Sequence, residues 1–225
     1  MRSAGTILRA VFAGLTLGLL FVTANAQEEP TGASDYWPFK EGNTWTLPTK
    51  ITRAEQSLTE TPEKHVELVI TVTKVTKIGD KTEAQLEYKA DGKTFQTEIY
   101  QADAKAIVRI ASGKNAAGKI TPPIPVVLFP LTNGKKWDWK GTDSTKGKAP
   151  TILSKQTVSG PETLKTDAGV FKAMHVHMDQ TVTVGEKQQQ LINDYWFAPH
   201  VGLVQQKANV NGQDIEGTLS SYQLK

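Results

Sequence analysis

Apolar and polar residues alternate with a period of two along most of this chain. Val66, Leu68, Ile70 and Val72 are interleaved with Glu67, Thr71 and Thr73. Ala84, Leu86 and Tyr88 alternate with Glu83, Gln85, Glu87 and Lys89, and Phe95 and Ile99 alternate with Gln96 and Glu98. That period belongs to strands with one buried face, not to helices. Gly79-Asp80 and Asp91-Gly92 separate the runs, and Asp-Gly favours a tight hairpin. Residues 65–100 therefore read as a three-stranded meander, with a fourth strand at 106–111. Further strands are expected at about 151–158, 162–166, 170–178, 180–184, 187–197, 202–209 and 213–222. Gly185-Glu186 and Asn211-Gly212 mark turns among them. Residues 112–125 hold two glycines and three prolines and read as a connector, because proline lacks the donor a central strand needs.

One phrase occurs twice. Pro38-Phe39-Lys40-Glu41-Gly42-Asn43-Thr44-Trp45 and Pro130-Leu131-Thr132-Asn133-Gly134-Lys135-Lys136-Trp137 share Pro, Gly and Trp at the same spacing, 92 residues apart (130 against 38). Tyr100 to Val108 aligns with Trp196 to Val204 at an offset of 96. These matches predict a single all-β domain over 36–225, built from two similar halves at about 36–111 and 126–222. Proline opens the segment, glycine permits a turn of positive φ, and tryptophan enters the next strand to fill a core. The alternative role for Trp45 and Trp137 is to line a shared ligand cleft.

The first 26 residues read as a signal peptide. Arg2 and Arg9 form a positive start, Ala10 to Val22 is uncharged and mostly apolar, and Ala24-Asn25-Ala26 is a cleavage site. The apolar run is shorter than the roughly 18 residues of a membrane span, so no span is expected once it is removed. The mature chain would start at Gln27 with a flexible lead-in to residue 35 and would lie in a bacterial periplasm or outside the cell. It has no cysteine, so its core must stabilise it without disulfides. Removing the two leader arginines from 26 basic residues leaves 24 against 23 acidic. The charges are interspersed, which argues against a nucleic-acid stripe.

Tyr36-Trp37-Pro38-Phe39-x-x-Gly42-Asn43-x-Trp45, Asp167-Ala168-Gly169-Val170-Phe171-Lys172-Ala173 and Tyr195-Trp196-Phe197-Ala198-Pro199-x-Val201-Gly202-Leu203-Val204 together resemble exported bacterial β proteins of unknown function. These are distantly similar to lipoprotein-carrier proteins of the localisation-factor fold. Asp167 stands where that group more often has proline. The resemblance implies an antiparallel curved sheet or half-barrel with no recognised catalytic residues.

No nucleophile elbow, zinc-protease, phosphate-loop or dinucleotide motif is present. The acidic residues sit at the alternating polar positions and read as a solvated face. His175, His177 and Asp179 recur every second residue, so all three share one strand face, and imidazoles with a carboxylate are zinc-type ligands. His200 lies in a nearby turn. Trp45, Trp137, Trp139 and Trp196 are candidate ligand-contacting aromatics, since aromatic platforms at a surface bind sugar rings or peptides. The expected function is a non-enzymatic binding or carrier-like module without a cofactor, its partner an apolar small molecule or acyl chain. The alternative is an envelope module that binds glycan or protein through exposed aromatics; a metal-dependent enzyme stands third.

Overall fold

A computed structural model of the chain describes residue 30 and residues 32–53, 63–144, 149–210 and 212–225. The expected signal peptide lies outside the described residues. Among the described residues, thirteen strands run in chain order: β1 (Thr44–Arg53), β2 (Lys64–Ile78), β3 (Lys81–Ala90), β4 (Lys93–Ala102), β5 (Ala106–Ser112), β6 (Gly118–Leu128), β7 (Lys136–Asp143), β8 (Thr151–Thr166), β9 (Gly169–Val184), β10 (Lys187–Ala198), β11 (Gly202–Val210), β12 (Gln213–Thr218) and β13 (Ser221–Gln223). Each pairs antiparallel with its sequence neighbour from β1 to β12. The expected strand pairs at 151–166 and 170–184 are single long strands, β8 and β9. β8 bulges between Ser159 and Glu162, where Gly160 takes a positive φ.

The sheet closes, which corrects the expectation of an open curved sheet or half-barrel. β1 pairs through Thr49–Arg53 with β12 and through Thr44–Thr46 with β13. Between those two strands the Leu219 N–H donates to Val204 O and the Ser220 N–H to Thr46 O, each at 2.9 Å. The edge groups of the first strand are thus satisfied by the last two, and twelve strands form a barrel with β13 added. Alternation is the same in an open and a closed antiparallel sheet, so the pattern could not distinguish them.

The barrel is apolar inside and polar outside. Inward positions include Leu47, Ile70, Leu86, Ile107, Val176 and Leu203, all buried. Outward positions include Glu67, Glu83, Glu87, Lys155, Thr157 and Asp179, exposed or half-exposed. A membrane-spanning barrel has the reverse pattern. No described helix is long and apolar enough to cross a membrane.

The proline-rich stretch is not a loop. β6 runs through Pro122, Pro123 and Pro125. It pairs with β7 only at Ile120↔Asp143 and Thr121↔Thr142, and its register against β5 jumps from Ile124 to Lys119, so Pro122 and Pro123 fall where neither neighbour requires an amide donor. The parted wall is covered by indoles: the Trp137 Nε1–H donates to Pro125 O at 3.3 Å, and Trp139 packs with Ile120, Ile124 and Met178.

One end of the barrel is plugged by the segment before β1. The helix α1 (Ala33–Tyr36) leads into Trp37, whose ring lies 5.3 Å from Phe39, 5.0 Å from Tyr100 and 5.4 Å from Phe197 between centroids. Tyr36 stacks on Phe129 at 5.8 Å. The His200 N–H holds the segment through Asp35 O at 2.5 Å. Gly202 has φ +102, and a Cβ there would lie 3.1 Å from the Trp45 Nε1 and 3.2 Å from Trp37, so only glycine fits beneath the plug.

The two copies of the repeated phrase make the same local hydrogen bonds. The Gly42 N–H donates to Val72 O and the Val72 N–H to Asn43 O; the Gly134 N–H donates to Val158 O and the Val158 N–H to Lys135 O. Asn43 to Lys40 and Lys135 to Thr132 close the two turns. Each tryptophan then enters the strand that follows, β1 or β7.

Candidate functional site

Two sites stand out, one inside the barrel and one on its wall. The interior holds a cavity of about 440 Å³. Its walls run from Trp37 at the plug to Ile51, Lys64 and Ile215 near the opposite strand ends. Val66 and Leu68 from β2, Val126 from β6 and Leu203 from β11 line its middle. Ala90 and Ala208 leave room where larger side chains would fill it.

A polar cluster is set into this apolar wall. Glu98, only 3% exposed, projects inward from β4. The Arg109 Nη1–H donates to its Oε1 at 2.6 Å and the Gln96 Nε2–H to the same oxygen at 2.6 Å. The Tyr100 hydroxyl donates to Oε2, and the Tyr88 hydroxyl lies 3.3 Å from that of Tyr100. Tyr195 faces the same space from β10. Burial would lower the Arg109 pKa, but the carboxylate of Glu98 together with Tyr100, Tyr195 and Tyr88 outweighs it and keeps the guanidinium charged. Burial, then the charge of Glu98, pushes the Tyr88 and Tyr100 phenols well above 10; Tyr195 is pushed up to about 12, chiefly by burial. The Arg109 Nε and the Trp37 Nε1 are buried without an acceptor among the described residues. Buried donors of this kind are rare in a finished interior.

Glu98 reverses the sequence expectation for β4. Glu98 and Tyr100 are buried inward, whereas Phe95 is 54% exposed and Ile99 half-buried. A strand whose polar face turns inward looks, in sequence, like one whose apolar face does. Arg109 did have a signal: it is the one charge in Ala106-Ile107-Val108-Arg109-Ile110-Ala111.

The second site lies on the outer wall. His175 and His177 project outward from β9, and Asp194 stands opposite His177 on β10. The His175 Nε2 is 2.6 Å from the Asp194 Oδ1 and the His177 Nδ1 is 2.8 Å from it. Ser159 on β8 holds the other nitrogen of His175, Oγ to Nδ1 at 3.0 Å. The His175 ring stacks on the indole of Trp196, with centroids 4.2 Å apart and planes 5° apart. The Trp196 Nε1–H donates to Glu162. Burial raises the Asp194 pKa, but hydrogen bonds from His175 and His177 outweigh it and leave the carboxyl below its usual range.

The residues singled out from the sequence fall as follows. Trp45 is fully buried and donates its Nε1–H to Val201 O at 2.6 Å. Trp139 and Trp196 are buried and Trp137 is half-buried. His175 and His177 meet, but their carboxylate is Asp194. Asp179 stands further along β9, opposite Ile192 and Lys155, and is exposed. His200 is exposed in the β10–β11 turn, against the plug.

No protein-family profile matches this chain, and no curated protein matches it. The chain is similar to several solved structures. It is similar to a candidate lipoprotein from Parabacteroides distasonis, with TM-score 0.54 and 15% identity, covering 87% of this chain and 100% of that one. A candidate exported protein with YmcC-like fold from Bacteroides fragilis aligns with TM-score 0.45 and 15% identity, covering 84% of this chain and 99% of that one. The hypothetical lipoprotein YmcC from Escherichia coli aligns with TM-score 0.37 and 13% identity, over 80% and 86%. The Parabacteroides protein is thus of the lipoprotein or exported kind that the motifs of this chain resemble.

Proposed function

We propose that this chain is an exported, non-enzymatic binding module that holds an apolar ligand such as an acyl chain inside its barrel. The cavity is the observation that supports it most. Its volume of about 440 Å³ falls within the usual range for ligand sites, and its lining is apolar with a few polar groups at depth. The unpaired donors of Arg109 and Trp37 call for an acceptor, and a carboxyl or ester oxygen at one end of the ligand would supply it. Catalysis has less support. Glu98 is engaged by Arg109, Gln96 and Tyr100, which leaves it no free role as a base.

The leader features and the likeness to exported proteins support a periplasmic or secreted location. The matched hydrogen bonds around Gly42 and Gly134 support descent of the two halves, about 36–111 and 126–222, from one unit. The halves have since diverged, since the first supplies Glu98 and Arg109 and the second supplies the histidine pair.

The test is titration of the mature chain with a fluorescent fatty acid. Saturable binding that weakens at least tenfold in Ala90→Phe and Ala208→Phe, with folding intact by circular dichroism, is the expected result. No saturable binding, or binding indifferent to both substitutions, would overturn the proposal.

A further inference from the structure

The outer-wall site carries an inference that does not depend on the cavity. Among the described residues, His175, His177 and Asp194 form a group whose ligand atoms all lie within 4.8 Å of one another. We propose that these three residues bind a divalent transition-metal ion of the zinc class on the outside of the barrel.

Strand geometry brings the donors together. Residues two apart on β9 point the same way, and the β9–β10 register sets Asp194 directly across from His177. Two imidazole nitrogens and one carboxylate oxygen are the donor set of three-ligand zinc sites, which leave a fourth position open. The open position here faces water, because the His177 side chain is 41% exposed while those of His175 and Asp194 are 20% and 19% exposed. Tetrahedral zinc sits about 2.0–2.1 Å from each nitrogen, so modest side-chain rotations would part the present hydrogen bonds and admit the ion.

The surroundings orient the ligands. The Ser159 hydroxyl occupies the Nδ1 of His175, which commits the Nε2 to the site. The parallel indole of Trp196 fixes the plane of that ring. Outer groups of this kind fix ring orientation in metal sites. The lysine paired with Asp194 in the sheet does not compete. Lys207 stands across from Asp194 on β11, but its ammonium pairs with Glu216 at 2.8 Å and lies over the Trp196 ring at 5.9 Å. The carboxylate is therefore left to the histidines.

The experiment uses the tag-free mature chain, treated with chelator and dialysed, then titrated at neutral pH with Zn²⁺ by calorimetry and with Co²⁺ by visible absorption. One equivalent of Zn²⁺ should bind, and Co²⁺ should give the intense visible band of a four-coordinate N/O site. His177→Ala and Asp194→Asn should weaken Zn²⁺ at least tenfold and abolish the cobalt band. Ser159→Ala should weaken it by about tenfold. Asp179→Asn and His65→Ala should leave it unchanged; the latter reports on the exposed His65–Glu63 pair, 2.6 Å apart. Absence of binding, binding lost in His65→Ala, or binding that survives both His177→Ala and Asp194→Asn would overturn the proposal. Fatty-acid binding should be unaffected by His177→Ala, so failure of this site and failure of the cavity reading are separable.

Discussion

Arg109 and Glu98 show how a single residue can govern both stability and recognition. A buried ion pair adds little over an apolar pair, but losing one partner leaves the other charge stranded. Arg109→Met should cost about 3 kcal/mol in urea unfolding, and Glu98→Gln added to it should recover part of that loss. Simple additivity of the two would refute the coupling. The phenols around the pair set an alkaline limit. Their folded pKa values are raised, so the stability they provide is complete below the unfolded value of 10.0 and falls as pH rises toward the folded values, about 12 for Tyr195. Ultraviolet titration should show Tyr88, Tyr100 and Tyr195 ionising only well above pH 10, together with unfolding; ionisation of these three near pH 10 would contradict it. The tryptophans of the repeated phrase should differ. Trp45→Ala should cost about 3–5 kcal/mol, and Trp137→Ala clearly less, because Trp137 is only half-buried. The sequence showed both rings entering strands, but their burial depends on a plug over one and a parted wall beside the other.

At the level of elements, the strands of the meander and the hairpin turns were legible because period and turn chemistry are local. Phase was not. In β4 the polar residues face inward because they have one another and Arg109 as partners, and those partners lie on other strands. β6 was hidden for a similar reason: three prolines argue against a strand only where both neighbours demand donors, and β7 makes almost no demand. Asp194 was missed as the companion of His175 and His177 because the β9–β10 register, not spacing along one strand, brings it there. The plug is an element that short motifs could not show. Trp37→Ala should lower stability by about 3–5 kcal/mol and open the cavity floor. Thermal unfolding measures the first effect. Faster quenching of the remaining tryptophans by acrylamide measures the second, and an unchanged quenching rate would show that Trp37 does not seal the barrel.

For the whole molecule, an all-β class was legible and closure was not, since closure depends on β1 meeting β12 and β13 across the full length of the domain. A chain truncated before Gln213 should keep its β spectrum but expose the edges of β1 and β11, and it should elute as oligomers in size-exclusion chromatography. A monomeric truncation would count against the seam. Closure also sets the pace of assembly. The Trp45 indole reaches Val201 and Thr46 reaches Ser220, contacts separated by 156 and 174 residues. Such distant pairing must be reached before it contributes any stability, and folds dominated by it take roughly milliseconds to seconds. The first strand therefore stays half-paired until the chain is whole, so the barrel cannot mature stepwise as the chain emerges. Refolding should be slow and concerted, and the nascent chain is open to capture by chaperones for as long as β12 and β13 are still to come.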